Sequence, residues 1–288
     1  MKGKSKVIKN SYQDYTNNSL PATRKQLVKK IILTRFTKLV ACNLLCFLFF
    51  IPIFVWDLLT TVFKSNIKSI DELVNFFITI ETPLNIIFYI IGFVGLAGAI
   101  YYIRKLSWGE PVSLFKTFLN GIKSSYKQFI GLGIIFSILI CLFELAFNML
   151  IYAQYEPLYM IIFIGLLILG LTLFLSIMSY SLTMSSLYYL KTSEIIKSSF
   201  LLTLKKILMN LVITLITYGV ILLPIFIGNV YFYFISIIVI GVVGISYTIL
   251  IWVNYSNSSY DVYINLKQYP DYFKKGLRRI EKEGEENA

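Results

Sequence analysis

The chain has 288 residues, 27 Lys/Arg against 15 Asp/Glu, no histidine, a formal net charge of +12 and a mean hydropathy of +0.73. With 57% hydrophobic and only 15% charged residues it is not a soluble globular domain, and its continuous apolar runs exclude a β-barrel, whose strands alternate apolar and polar residues. The expected fold class is all-α: a polytopic membrane helical bundle, since apolar runs beyond about 18 residues match a hydrocarbon core of roughly 30 Å.

Residues 1–23 are polar, with Lys2, Lys4, Lys6 and Lys9, and read as a flexible N-terminal tail. No secretory signal peptide is expected, because the first apolar run starts near residue 37 and lacks a small-residue cleavage site. Pro21 opens the basic helical segment RKQLVKKIILTRFTKL, and span 1 follows over 39–63, carrying Pro52 and Asp57. Ser69-x-x-Glu72 is a capping-box pattern, and Leu73, Phe76, Phe77 and Ile80 behind it predict a short external interfacial helix. Span 2 covers 83–103 and carries Gly92, Gly95, Gly98 and Ala99, a small-residue side suited to close helix packing or to a ligand groove.

A second basic segment follows span 2. Within it Leu114, Phe115, Phe118, Leu119, Ile122, Tyr126 and Phe129 recur on one face of a 3.6-residue period, with Lys116, Lys123 and Lys127 on the rest. Such a helix is expected to lie in the interface plane, its lysines toward anionic headgroups of the lipid bilayer. Span 3 covers 129–152, the loop AQYEPL turns the chain, and span 4 covers 159–182. The third basic segment, residues 191–208, leads to span 5 (209–227), a tight loop at Gly228-Asn229 and span 6 (231–253). Residues 254–288 read as a cytoplasmic tail, in which Phe273, Leu277 and Ile280 form a second basic amphipathic stripe, suited to anionic lipid or to a docking protein.

The membrane domain is therefore 24–253 with six transmembrane helices. Residues 1–38, 104–128, 191–208 and 254–288 hold 10, 5, 4 and 6 basic residues, so six spans place 25 of the 27 on one side, leaving Lys64 and Lys68 opposite. The positive-inside rule then makes both termini cytoplasmic in a plasma membrane, and explains the charge without nucleic acid as a partner. The layout reads as a threefold repeat of basic interfacial helix plus hairpin. Tyr101-Tyr102 and Tyr188-Tyr189 recur at span ends, and Pro-Ile-Phe recurs at 52–54 and 224–226. Such duplication is common in transporter folds.

Candidate chemistry is sparse. Intramembrane ionisable groups suggest function by default, and two occur, Glu144 (with Asn148 at i+4 and Cys141 at i−3) and Asp57. They suit a cation- or proton-linked site, or else reach the external interface or bond a neighbouring helix. Thr172, Ser176, Ser179 and Thr183 recur at spacings of 4, 3 and 4 in span 4, a strip of hydroxyls that either packs helices or lines a wet path. Cys42, Cys46 and Cys141 lack a surrounding ligand set, no Walker loop is present, and no histidine is available for a triad; neither an enzyme nor a cofactor is expected.

The segments NLLCFLFFIPIF (43–54), IRKLSWGEPVSLFKTFLNGIKSSYKQ (103–128, with Trp108, Gly109, Glu110, Phe118 and Lys127) and YDVYINLKQYPDYFKKGL (260–277) resemble the YesL-like family of bacterial membrane proteins, defined by a domain of unknown function. The resemblance spans about residues 36–277, while the long start and the acidic end EKEGEENA depart from it. It implies a Gram-positive source and a place beside carbohydrate ABC importers, and it supplies no catalytic residues. The chain has no clear permease loop for docking an ATPase. The expected function is thus a non-enzymatic accessory component of a carbohydrate ABC import system. Contacts to permease or ATPase subunits would run through Trp108, Phe115, Phe118, Phe273 or Leu277. The rival is a transporter or channel with a polar path at Glu144 and the span-4 hydroxyls; a third reading is a membrane sensor or immunity-type binding protein.

Overall fold

The computed structural model describes residues 20–64, 66–67, 69–152, 156–219 and 230–278. The tail before residue 20, Pro224-Ile225-Phe226, Gly228-Asn229, Ile280 and the acidic end lie outside the described residues. The described residues form helices and connecting turns, with no strand among them. In chain order these are α1 (Arg24–Leu48), α2 (Ile51–Lys64), α3 (Asp71–Ser107), α4 (Leu114–Tyr152), α5 (Pro157–Ser185), α6 (Thr192–Lys205), α7 (Ile207–Gly219) and α8 (Phe234–Gln268). Five are long and apolar enough to cross a bilayer, six when α6 and α7 count as one bent span. The protein is an all-α polytopic helical bundle.

Several expected boundaries move, each for a local reason. Span 1 is not one helix. Pro52 lacks an N–H and its ring conflicts with the carbonyl four residues back; the chain tightens, with Phe49 N bonding Cys46 O at 3.0 Å and Phe50 N bonding Phe47 O at 2.8 Å, and restarts as α2. The external interfacial helix does start at its cap, where Ser69 Oγ accepts from Glu72 N at 3.2 Å, but it runs unbroken into span 2 through a widened turn at Phe77–Glu81.

The central basic helix is likewise not a separate interfacial element. It is the first part of α4, whose 39 residues extend about 58 Å at 1.5 Å per residue, well past the hydrocarbon thickness. Its expected lipid-facing side is partly spent on packing within the bundle. Phe118 and Phe129 are buried, and Phe115 and Leu119 remain exposed. The glycines explain why. A Cβ on Gly98 would come within 2.7 Å of the Phe118 ring, one on Gly121 within 2.6 Å of Tyr101 Cβ, and one on Gly95 within 2.6 Å of Phe49 Cβ. The small-residue side of span 2 is a packing seam that receives aromatic rings.

Of the three basic segments, the third departs most from its span. α6 and α7 meet at 98° about Lys206, whose φ and ψ of −127° and 34° interrupt the helix. α1 carries a similar break at Arg35 (φ −133°, ψ 25°), whereas α4 runs straight through. The backbone is thus interrupted within the first and third basic segments and continuous through the second.

Span 6 continues past Val253 to Gln268, so much of the expected C-terminal tail is buried helix, including Asn254, Ser256, Asn257, Ser259, Tyr260 and Asp261. Residues 273–278 are not a helical stripe. Lys274 and Gly276 have φ of 50° and 83°, and the segment lies as a strap across the bundle end. Leu277 is buried, Trp108 stacks on Tyr272 at 5.6 Å, and Lys275 Nζ sits 4.1 Å from the Trp108 ring centroid while pairing with Glu110 at 3.0 Å. Trp108, Phe118 and Leu277, expected to meet a partner, are thus engaged inside the chain, and Phe273 belongs to the strap. Phe115, 65% exposed, stays open.

Gly98→Ala should lower stability by about 1–3 kcal/mol through overpacking against Phe118, while Gly165→Ala, whose Cβ meets nothing within 4 Å, should be neutral or slightly stabilising. Thermal unfolding of the detergent-purified proteins checks the contrast. Gly276→Ala should loosen the strap, because its positive φ is strained for alanine and the Cβ would lie 2.5 Å from Ser107 O; faster proteolysis after residue 268 is the expected readout.

Candidate functional site: a carboxylate cluster beside a cavity

Glu81, Asn85 and Tyr89 stand four residues apart on one face of α3, the spacing that stacks side chains along a helix. α4 runs antiparallel to α3 and brings Glu144 to that face. Asn85 Nδ2 donates to Glu144 Oε2 at 3.2 Å, and the Tyr89 hydroxyl donates to Glu144 Oε1. From α2, Lys64 Nζ pairs with Glu81 Oε1 at 2.6 Å, and Asp57, one helical face away, lies within electrostatic reach of Glu144, Glu81 and Lys64. Three carboxylates therefore share one ammonium group.

The hydrogen-bond ledger of this cluster is short of donors. Glu81 is 5% exposed and Asn85 2%, yet Glu81 Oε2 and Asn85 Oδ1 have no donor among the described residues. A buried acceptor left bare costs about 1–3 kcal/mol, and uncompensated carboxylates in a low-dielectric setting cost more. The arrangement suits something that brings positive charge and N–H or O–H donors. Among the described residues, no group of three His, Cys, Asp or Glu side chains is placed to hold a metal ion.

The cluster adjoins a cavity of about 330 Å³. Asp57 and Tyr89 line it at the carboxylate end, and Phe93, Leu96 and Ile100 continue its wall along α3. Tyr89 to Ile100 is 11 residues, about 16 Å of helix, so the cavity reaches from the cluster toward the middle of the bundle. Its far wall carries Ser179, Thr183 and Tyr218, with Trp252 beside them. The volume is within the range of small-ligand sites, and the lining is mostly apolar with a few convergent polar groups.

The span-4 hydroxyl strip divides between two roles. Ser176 Oγ and Thr214 Oγ1 are 2.8 Å apart, Ser179 Oγ and the Tyr218 hydroxyl 2.7 Å, and Thr183 Oγ1 and the Tyr260 hydroxyl 2.8 Å. These bonds tie α5 to α7 and α8. Thr172 bonds back to Leu169 O at 2.8 Å, within its own helix. Ser179 and Thr183 alone of the strip also reach the cavity. Asn148 does not join Glu144 through a bond: it makes no hydrogen bond among the described residues.

Sequence reasoning named Asp57 and Glu144 and missed Lys64, Glu81, Asn85, Tyr89 and Tyr218. The i, i+4, i+8 spacing of Glu81, Asn85 and Tyr89 was a legible signal, masked by assigning Glu81 to a loop between two elements. Pairing Lys64 with Glu81 was not legible, because it depends on where α2 turns after Pro52. No family model matches the chain, and no curated protein or solved structure matches it.

Lys64→Ala should strand Glu81 in the bundle and lower stability by about 2 kcal/mol, the lower side of what breaking a buried pair costs because Lys64 is partly exposed. Asn148→Ala should stay within about 0.5 kcal/mol. The difference in melting temperature in a neutral detergent tests both.

Proposed function

We propose that this chain is an integral membrane protein that binds a small cationic solute, or a solute together with protons, in the cavity between α2, α3, α5 and α8, and passes it across the bilayer. The observation that carries this reading is the donor deficit at Glu81 and Asn85 beside Asp57 and Glu144. Two negative charges in excess of Lys64 must be met by cations. A bound proton and a protonated amine both satisfy that requirement.

The geometry supports a path rather than a closed pocket. Glu81 and Arg104 lie 23 residues apart on α3, about 34 Å of helix, so the carboxylate cluster stands near one face of a bilayer and the basic end of the bundle near the other. The excess of Lys/Arg at the basic end makes that end cytoplasmic in this proposal, with the carboxylates toward the outside. A cation would be collected by the acidic face and carried inward along the hydroxyls of Ser179, Thr183 and Tyr218. No catalytic role is assigned to any residue.

A second reading, association with a carbohydrate import permease, draws on Phe115, whose exposed ring stands beside exposed Lys116 on the first turn of α4. The two readings separate in one binding screen. The purified protein is titrated with a panel of small amines and a panel of neutral sugars, followed by melting temperature, in wild-type and Asp57→Asn forms. Amines that stabilise the wild type and lose about tenfold or more in affinity with Asp57→Asn support the cavity reading. Stabilisation by sugars alone, or amine responses indifferent to Asp57, would overturn it.

A further inference from the structure

At the basic end, the structure holds a buried cation with no carboxylate bonded to it among the described residues. Arg104 on α3 is 8% exposed, and its guanidinium makes no hydrogen bond and no ion pair among the described residues. Its Nε is a buried donor without an acceptor. The group is held only by ring faces, with Cζ 4.7 Å from the Tyr101 centroid and 5.0 Å from that of Trp108. Cation–π contact on this scale contributes about 0.5–2 kcal/mol, which leaves the guanidinium's hydrogen-bonding demand unmet.

The nearest carboxylate is already taken. Glu110 pairs with Lys105 at 3.5 Å and with Lys275 at 3.0 Å, so three cations share one anion. Arg104 opens instead on a pocket of about 160 Å³ between α3, α4, the end of α5 and the C-terminal strap. That volume equals about five waters of liquid, room for one tetrahedral oxyanion. No carboxylate lines it. Tyr189, 94% exposed at the rim, and Tyr272 on the strap present phenols that have no hydrogen-bond partner among the described residues.

We propose that this pocket binds the oxyanion of a phosphate-bearing ligand, received by the Arg104 guanidinium with Tyr189 and Tyr272 as further donors. Arginine held against two ring faces has its orientation restricted, and its fork matches two oxygens of a phosphate. The site is separate from the carboxylate cavity in place and in sign of charge. The phosphate has two possible sources, a soluble phosphate compound or the headgroup of an anionic lipid at the membrane surface, and the ligand's source follows from the test.

The full-length protein is purified in a neutral detergent without phosphate, and its thermal unfolding is followed against inorganic phosphate at constant ionic strength. The same measurement is made in nanodiscs of phosphatidylcholine with and without phosphatidylglycerol. The wild type should gain a saturable rise in melting temperature, and Arg104→Met should weaken that response by about tenfold or more. Without any anion, Arg104→Met should be at least as stable as the wild type, because an unpaired buried charge has gone. A response to phosphatidylglycerol but not to inorganic phosphate assigns the oxyanion to lipid; a response to inorganic phosphate but not to phosphatidylglycerol assigns it to a soluble compound; a response to both supports an oxyanion site open to either source. If neither probe separates wild type from Arg104→Met, the proposal falls. Should that variant fail to fold, Tyr189→Phe and Tyr272→Phe replace it: each should weaken the phosphate response, and an unchanged response in both overturns the site. Removing residues 281–288 should leave the response as it was; if the response arises only after their removal, the acidic end of the chain is the occupant and the proposal is wrong.

Discussion

Asp261 holds the two ends of the chain to one another. Its Oδ2 pairs with Arg24 Nη2 at 3.0 Å, at the start of α1, and its Oδ1 accepts from Asn265 Nδ2 at 2.9 Å and from Lys274 N at 3.1 Å. One carboxylate thus fixes the first helix, the last helix and the strap. Arg24 Nη1 adds a bond to Lys275 O at 2.9 Å, and Arg278 N bonds Pro21 O at 3.0 Å. Asn265 in turn accepts from the Tyr188 hydroxyl, whose burial pushes the phenol above its ordinary range and keeps it protonated as a donor. The strap, once tied there, stacks Tyr272 on Trp108 and closes the pocket above Arg104. The oxyanion site and the bundle's closure are therefore one construction.

The same logic of internal satisfaction governs the middle of the bundle. Where no water reaches, a broken helix needs a side chain to replace each lost bond. α8 widens at Ile240–Gly244, and Asn43 of α1 repairs it: Nδ2 donates to Ile240 O at 2.8 Å and Oδ1 accepts from Ser246 N at 2.8 Å. Asn210 does comparable work near the α6–α7 bend, donating to Thr203 O at 2.9 Å and accepting from the Tyr255 hydroxyl at 2.8 Å. Among the buried polar atoms left bare in the described residues, the acceptors of Glu81 and Asn85 and the Nε donor of Arg104 sit beside a cavity or its carboxylate cluster. They are of opposite sign and lie at opposite ends of α3, which is why they support separate ligands.

Much of the fold was legible because hydrophobicity at this length admits one solution. Spans 2, 3, 4 and 6 fall inside observed helices, and the cap at Ser69 is where its pattern put it. Two of the errors share one cause. Amphipathic stretches at 114–128 and 254–268 were assigned to the interface or the cytoplasm because polar residues recur in them. In the structure the polar groups of 254–268 bond to other helices, those of 114–128 are mostly exposed or bond their own helix, and periodicity cannot say whether an apolar face meets lipid or a neighbour. The site was half legible for the same reason. Asp57 and Glu144 are visible as charges in apolar runs, whereas Lys64, Asn85 and Arg104 matter through what they meet or fail to meet.

The sequence by itself determined that this is a helical membrane protein, because bilayer thickness and backbone hydrogen bonding leave no other fold for such apolar runs. It also marked the small-residue side of α3 as a surface suited to close approach, and the structure places Phe49, Phe50 and Phe118 against it. Only the tertiary structure decided which buried polar groups are paired. That depends on the antiparallel register of α3 and α4, on the turn after Pro52 and on the path of the C-terminal strap, each set by contacts between residues distant in the chain.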